Sequence, residues 1–346
     1  MKIQKRWSSL KILTILAVFI FLEGCDTRSK DAVKPPFRAE LMTSKLNTTD
    51  DFQISLAQWS LHKSFFGNSN ADWQKFNKTL TESPDDVLQG KLDPADFPEI
   101  AASYGISIIE LVNTFYFGKT NDKDYWIDFK HQCDSLGISV GLIMCDALGD
   151  LGDADAKARN NSVENHYQWV DIAKFIGAHS IRVNAGGSGT RQEVALNVID
   201  GLSKLGTYAA SQDINILVEN HGGYSSDAHW LSGIIKKVDM PHVGTLPDFG
   251  NFCIEMGSDG CIDEYDRYQG ISELMPYAKG VSAKSLSFDH DGNEINTDFL
   301  RMMTIVKASG FKGTIGIEYE GRLLSEDAGI KATKALLEKV INELKN

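Results

Sequence analysis

From Phe52 onward the sequence repeats one unit eight times, and that count constrains the fold more than any other feature. Each unit is a short run rich in Val, Ile and Leu, followed by a longer stretch whose apolar residues recur at helical spacing. The runs fall at 52–59, 106–111, 138–143, 180–184, 214–219, 243–246, 280–284 and 314–318. The helical stretches fall at 93–105, 125–136, 165–176, 192–211, 230–238, 271–278, 298–309 and 330–345. Asp93 and Pro94 suit a helix start, and Gly105, Gly137 and Gly177 each stop a helix before the next run. Strands alternating with helices make parallel βα units. Eight of them close a (β/α)8 TIM barrel of about 250 residues, which residues 51–346 can supply as one α/β domain. An open doubly wound sheet is the competing arrangement, but no glycine-rich dinucleotide turn follows the first run. Residues 63–92 exceed an ordinary connection and read as an insertion carrying Phe65, Phe66, Trp73 and Phe76.

Such a barrel presents the C-terminal ends of its strands to one cavity. The fifth run, Ile214 to Glu219, continues into Asn220, His221, Gly222 and Gly223. Glu219 and His221 are two apart and point the same way in extended geometry. Asp248 follows the sixth run and Glu318 ends the eighth. Three converging carboxylates repel and raise each other's pKa. One divalent cation removes that penalty, and carboxylates with an imidazole suit magnesium, manganese, cobalt or zinc. Pairing with Arg182, Lys284 or Arg322 is the alternative. The other strand ends carry His62, Glu110, Asn113, Asp146, Asn184, Asn251, Ser282 and Glu320, which together describe a polar pocket.

Leu217-Val-Glu219-Asn-His-Gly-Gly, Pro247-Asp248-Phe-Gly-Asn251 and Ile315-Gly-Ile-Glu318-Tyr-Glu-Gly resemble strand-end motifs of the xylose-isomerase-like TIM-barrel superfamily, which includes the sugar phosphate isomerases and epimerases. The resemblance runs through all eight units. It implies one metal ion held from strands five to eight, with Glu219, Asp248 and Glu318 in three of the four places. The family's strand seven reads like Val-His-Leu-Lys-Asp. Here it reads Val281-Ser282-Ala283-Lys284-Ser285, so Ser282 stands at the histidine position and His221 is the nearest substitute ligand. The resemblance also implies that Glu219 and Glu318 exchange a proton with carbon beside a carbonyl. Lys284 would stabilise an enediolate, act as a base if desolvated, or pair with an acid. Trp59 and His62 suit stacking and hydrogen bonding to a sugar ring, although Trp59 also suits plain core lining. Glu110, Asn113, Arg182, Asn184 and Asn251 would complete the substrate contacts.

Two segments precede the barrel. Lys2, Lys5, Arg6 and Lys11 lead into an apolar run, Ile12 to Leu22, that is short for a spanning helix. Leu22-Glu23-Gly24-Cys25 resembles the lipobox of bacterial lipoproteins. That implies a signal peptide over 1–24, lipidation at Cys25, and export to the periplasmic or cell-surface side of a bacterial membrane, held by lipid alone; an uncleaved anchor with an incidental cysteine is the alternative, and it too places the body outside the cytoplasm. Residues 25–50 carry little apolar content and read as a flexible tether. The leader carries a net +3, so the chain's formal −12 becomes −15 without it. So acidic a body repels phosphate backbones, which argues against nucleic acid as a partner but not against a small anionic ligand held by a metal; a small-molecule carbohydrate partner is what the resemblance to the xylose-isomerase-like superfamily implies. Hydrolysis of phosphodiesters, as in the superfamily's endonucleases, uses several zinc ions and many histidine ligands, and this chain has eight histidines in all. Cys253 and Cys261 close a short loop and are either a disulfide, which an oxidising compartment permits, or two buried thiols.

The expected function is a metal-dependent sugar isomerase or epimerase. Export disfavours a phosphorylated substrate and favours a free or oxidised keto sugar. Two alternatives share the site: a lyase or hydrolase that cleaves keto-glycosides by β-elimination, and a carbohydrate-binding lipoprotein without catalysis.

Overall fold

The structure is a computed structural model that describes residues 51–345. The signal peptide, Cys25 and the tether lie outside the described residues. The first strand, β1 (Phe52–Ala57), is followed by α1 (His62–Phe66) and α2 (Trp73–Glu82), both within the insertion, and then by α3 (Phe97–Ser103). The next units are β2 (Ile108–Val112) with α4 (Lys123–Leu136), β3 (Ser139–Met144) with α5 (Ala156–Ile176), and β4 (Ser180–Asn184) with α6 (Arg191–Ser211). They continue as β5 (Asn215–Glu219) with α7 (Ala228–Val238), and β6 (Val243–Leu246). A hairpin, β7 (Cys253–Gly257) and β8 (Gly260–Glu264), precedes α8 (Arg267–Leu274). The chain closes with β9 (Val281–Ser285), α9 (Phe299–Ala308), β10 (Gly313–Tyr319) and α10 (Glu326–Lys345).

Eight strands form one parallel sheet in the order β6-β5-β4-β3-β2-β1-β10-β9. Its two ends meet: Ser282 N donates to Pro247 O at 2.9 Å, and Phe249 N donates to Ser282 O at 3.0 Å. The barrel therefore closes at an Asp248–Ser282 bridge, next to two residues that the sequence marks for the site.

The strands are buried on both faces, by helices outside and by packed side chains inside. Ile216, Leu217 and Val218 of β5 are fully buried. Asp72, Asp122, Asp155, Asp227, Asp266 and Asp298 each cap a helix by accepting from a first-turn N–H. Thr190 and Glu193 form a reciprocal capping box on α6. Gly137 and Gly177 end α4 and α5 in left-handed geometry, at φ 66° and 84°. Asp93 caps a 3-10 turn that leads into α3.

Three features depart from the expected pattern. Helix α5 begins at Ala156, well before 165, because its first turns are capped by Asp155 and bury Arg159 and Ser162, not an apolar stripe. The β7–β8 hairpin is added after β6, closed by a Cys253–Cys261 disulfide, and its strands bury no face. The insertion folds: Phe65 and Phe66 pack in tilted contact against Phe115, with ring centroids 4.8 and 4.5 Å away. No described helix is long and apolar enough to cross a membrane.

Candidate active site

Barrel register brings Glu219, Asp248 and Glu318 to one layer at the C-terminal strand ends, all buried. One carboxylate oxygen from each lies within 4.8 Å of the other two. Asp248 accepts at Oδ1 from the N–H groups of Gly250 and Asn251, both at 2.8 Å. That leaves its buried Oδ2 without a hydrogen-bond donor. Glu219 accepts at Oε1 from Asn251 Nδ2 at 2.9 Å. Its Oε2 faces Arg182 Nε at 2.8 Å, as an ion pair whose geometry is not that of an aligned hydrogen bond. Glu318 Oε2 accepts from Ser282 Oγ at 3.3 Å.

Two cations stand among these acids. Lys284 Nζ lies 3.2 Å from Glu318 Oε1, 2.9 Å from Glu320 Oε1 and 3.9 Å from Asp248 Oδ2, and it donates to Asn251 Oδ1 at 3.0 Å. Gly250 makes room for it: a Cβ there would lie 3.0 Å from Lys284 Cδ. Arg182 joins Glu219 to Asp146, with Nη1 at 2.6 Å from Asp146 Oδ1. Asn184 Nδ2 donates to the same Asp146 oxygen at 2.8 Å. Pairing with Arg182 and Lys284 is thus present, whereas Arg322 is exposed at the surface.

The suggestion that His221 fills the vacant ligand place does not fit this geometry. His221 is exposed and lies outside the acid group. The reason is that β5 ends at Glu219, so the two-residue alternation does not carry on to His221. Ser282 Oγ and Lys284 Nζ are the groups that face Glu318 instead.

A cavity of about 260 Å³ opens above the acids, reached by Glu318, Arg182, Asn184, His221, Trp59 and Asp146. His62 stacks on Trp59 at 4.9 Å and bonds through Nδ1 to Trp59 O at 2.8 Å, so it supports the indole. Two further candidates are held away from the cavity. Glu110 is buried inside the barrel and accepts from Ser55 Oγ at 2.5 Å; a Cβ at Gly316 would lie 2.7 Å from its Oε2. Asn113 uses its amide on the backbone N–H and C=O of Asp146, both at 2.9 Å.

Asn220, which is not among the residues expected at the site although it lies between Glu219 and His221, clamps the next strand end in the same way. It accepts from Asp248 N at 2.8 Å and donates to Asp248 O at 3.0 Å. Its signal was its place: like Asn113, it lies just past a strand end, from which an amide spans to the neighbouring strand's loop.

Burial sets the protonation of the layer. It pushes the Asp248 carboxyl up to about 6, with Lys284 pulling the other way. It holds Glu318 well above the usual carboxylate range, again with Lys284 opposing and Glu219 and Asp248 adding to the rise. Glu110 is pushed up to about 7 by burial. At Glu320 burial is outweighed by Lys284, and the carboxyl is held down to about 2. Burial disfavours the Lys284 ammonium, but Asp248, Glu320 and Glu318 more than offset it, so Lys284 is a fixed positive charge and not a base. The layer is therefore a set of carboxyls in unequal surroundings around one ammonium.

The same residues fit a divalent ion. Three carboxylate oxygens converge, and Glu219 Oε2 and Asp248 Oδ2 are buried without a hydrogen-bond donor.

Residues 98–340 match the family model described as xylose isomerase-like TIM barrel. No curated protein matches the chain. Among solved structures, a D-tagatose 3-epimerase-like protein aligns with a TM-score of 0.60 at 17% identity, over 85% of this chain and 99% of its own. The apo 3-keto-D-glucoside 4-epimerase from E. coli aligns with a TM-score of 0.56 at 15% identity, over 71% and 94%. A xylose isomerase-like TIM barrel protein from Mycobacterium smegmatis, in complex with magnesium, aligns with a TM-score of 0.58 at 13% identity, over 84% and 97%. At these identities the likeness is one of fold.

Proposed function

The chain belongs to the xylose isomerase-like TIM barrel family, and from that premise we propose that it moves a proton on the carbon beside the carbonyl of a sugar, as an isomerase or epimerase. The observation that carries this reading is the convergence of Glu219, Asp248 and Glu318 within 4.8 Å, with the Lys284 ammonium beside Glu318 and Asp248. Two carboxyls in different surroundings divide acid and base work between them. Glu219, ion-paired with Arg182, is placed to take the carbon-bound proton. Glu318, whose carboxyl burial holds well above the usual carboxylate range, is placed to return one. Lys284 keeps a positive charge beside the oxygen where enediolate charge develops. A divalent ion held by Glu219, Asp248 and Glu318 would polarise the sugar's oxygens. Arg182, Asn184 and Trp59 line the space in which the sugar sits.

The substrate class is a free or oxidised keto sugar without phosphate. Export with a lipid at Cys25 supports this, since sugar phosphates are cytoplasmic, and the Cys253–Cys261 disulfide favours an oxidising compartment. Where the carbon two bonds from the carbonyl bears an aglycone, the same proton abstraction expels it, and the outcome is elimination. Among structures of similar fold, one is named for its likeness to a D-tagatose 3-epimerase and another is a 3-keto-D-glucoside 4-epimerase, names that fall in the same class.

The test is E318Q. Its turnover of keto sugars, with magnesium, manganese, cobalt or zinc added, falls by roughly 100- to 10,000-fold while sugar binding is retained. An E318Q variant as active as the parent rejects the assignment. A binding protein without turnover is the second reading, favoured by Ser282 at the usual histidine position. Sugar binding by a parent chain that turns over no keto sugar would establish it.

A further inference from the structure

We propose that the insertion at 63–92 builds a second sugar subsite beside the acid layer, so that the substrate is a two-ring glycoside, a disaccharide, and not a monosaccharide. The proposal rests on the function proposed above and extends it.

The cavity that reaches Glu318 and Arg182 is walled on its other side by rings: Trp59, Phe66, Phe76 and Trp73. They form a continuous series. Trp59 meets Phe66 edge to face at 6.2 Å, Phe66 meets Phe76 edge to face at 5.0 Å, and Phe76 stacks on Trp73 at 5.3 Å with 15° between planes. The series runs from the half-buried indole beside the acids to one that is 59% exposed. Phe76 is buried and anchors α2, so Trp73 is backed on one face and open on the other. An isolated exposed apolar residue needs no explanation. Trp73 differs because it borders the same cavity as the catalytic carboxylate, with the amide of Asn70 alongside. A fixed indole face with an adjacent amide suits the C–H face and hydroxyl rim of a pyranose. A second observation falls on the same cavity: Ala147, beside Asp146, sits at φ 58°, a left-handed conformation that non-glycine residues hold at strain, and such strain gathers at binding sites.

The probes are glucose and cellobiose, each oxidised to the ketone at the same carbon of the reacting ring. Affinity of the full chain for each is measured by calorimetry, and carbon-bound proton exchange is followed separately in deuterated water. The parent binds the disaccharide about tenfold more tightly than the monosaccharide, the scale of one aromatic stacking contact. W73A removes that preference, and W73Y, which keeps a ring, retains most of it. Equal affinity for the two ligands in the parent, or a preference that survives W73A, overturns the subsite. A preference lost in W73A, with no proton exchange on either ligand, leaves the subsite standing and removes the catalytic reading alone.

Discussion

Lys284 Nζ sits within 4 Å of carboxylates from the ends of β6 and β10. Replacing it with methionine leaves buried acids without their shared cation. We expect K284M to lose about 3–5 kcal/mol in urea unfolding, and added magnesium or manganese to raise its melting temperature more than the parent's. An unchanged urea midpoint would show that the pairing does not stabilise the barrel. Glu110 gives a pH signature. Its folded pKa of about 7 lies above the ordinary 4.5, so the folded state keeps a proton that the unfolded chain has lost. The stability this proton contributes is full below pH 4.5 and is lost as pH rises through 7. It amounts to roughly 3 kcal/mol. Asp248 and Glu318 add slope of the same sign, so the check is the difference between parent and E110Q, which should flatten by about that amount. At this scale the sequence placed the three acids correctly, because strand-end geometry dictates them. It did not place His221, which lies beyond the strand, nor the partner of Lys284, which depends on side-chain reach.

The elements hold the site through clamps. Asn113 ties β2 to the loop after β3, and Asn220 ties β5 to the loop after β6. Asn220→Ala leaves buried backbone groups of Asp248 unpaired, at a cost of about 1–3 kcal/mol. It also loosens Asp248, so kcat falls more than the stability loss alone accounts for in assays far below the melting point. Asp155→Ala, in contrast, removes only a helix cap, lowers stability by about 1 kcal/mol and leaves KM unchanged. Helix and strand order was legible from periodicity. The early turns of α5 and the β7–β8 hairpin were not, since neither presents an apolar stripe to read.

At the level of the whole molecule, eight βα units and a closing bridge between β6 and β9 place every strand end at one mouth. That much follows from counting units in the sequence. What the count does not contain is the aromatic wall contributed by the insertion, because its rings are brought together only by folding over the barrel. The central claim is that this mouth moves a proton on carbon beside a carbonyl. It is tested most directly by incubating the full chain with keto sugars and a divalent metal in deuterated water and following the carbon-bound protons by NMR. Deuterium is expected at a carbon adjacent to the carbonyl, with exchange lost in E219Q, which lacks the abstracting base, and product formation lost in E318Q. A sugar that binds and keeps all its carbon-bound protons, with each of magnesium, manganese, cobalt and zinc, would contradict it.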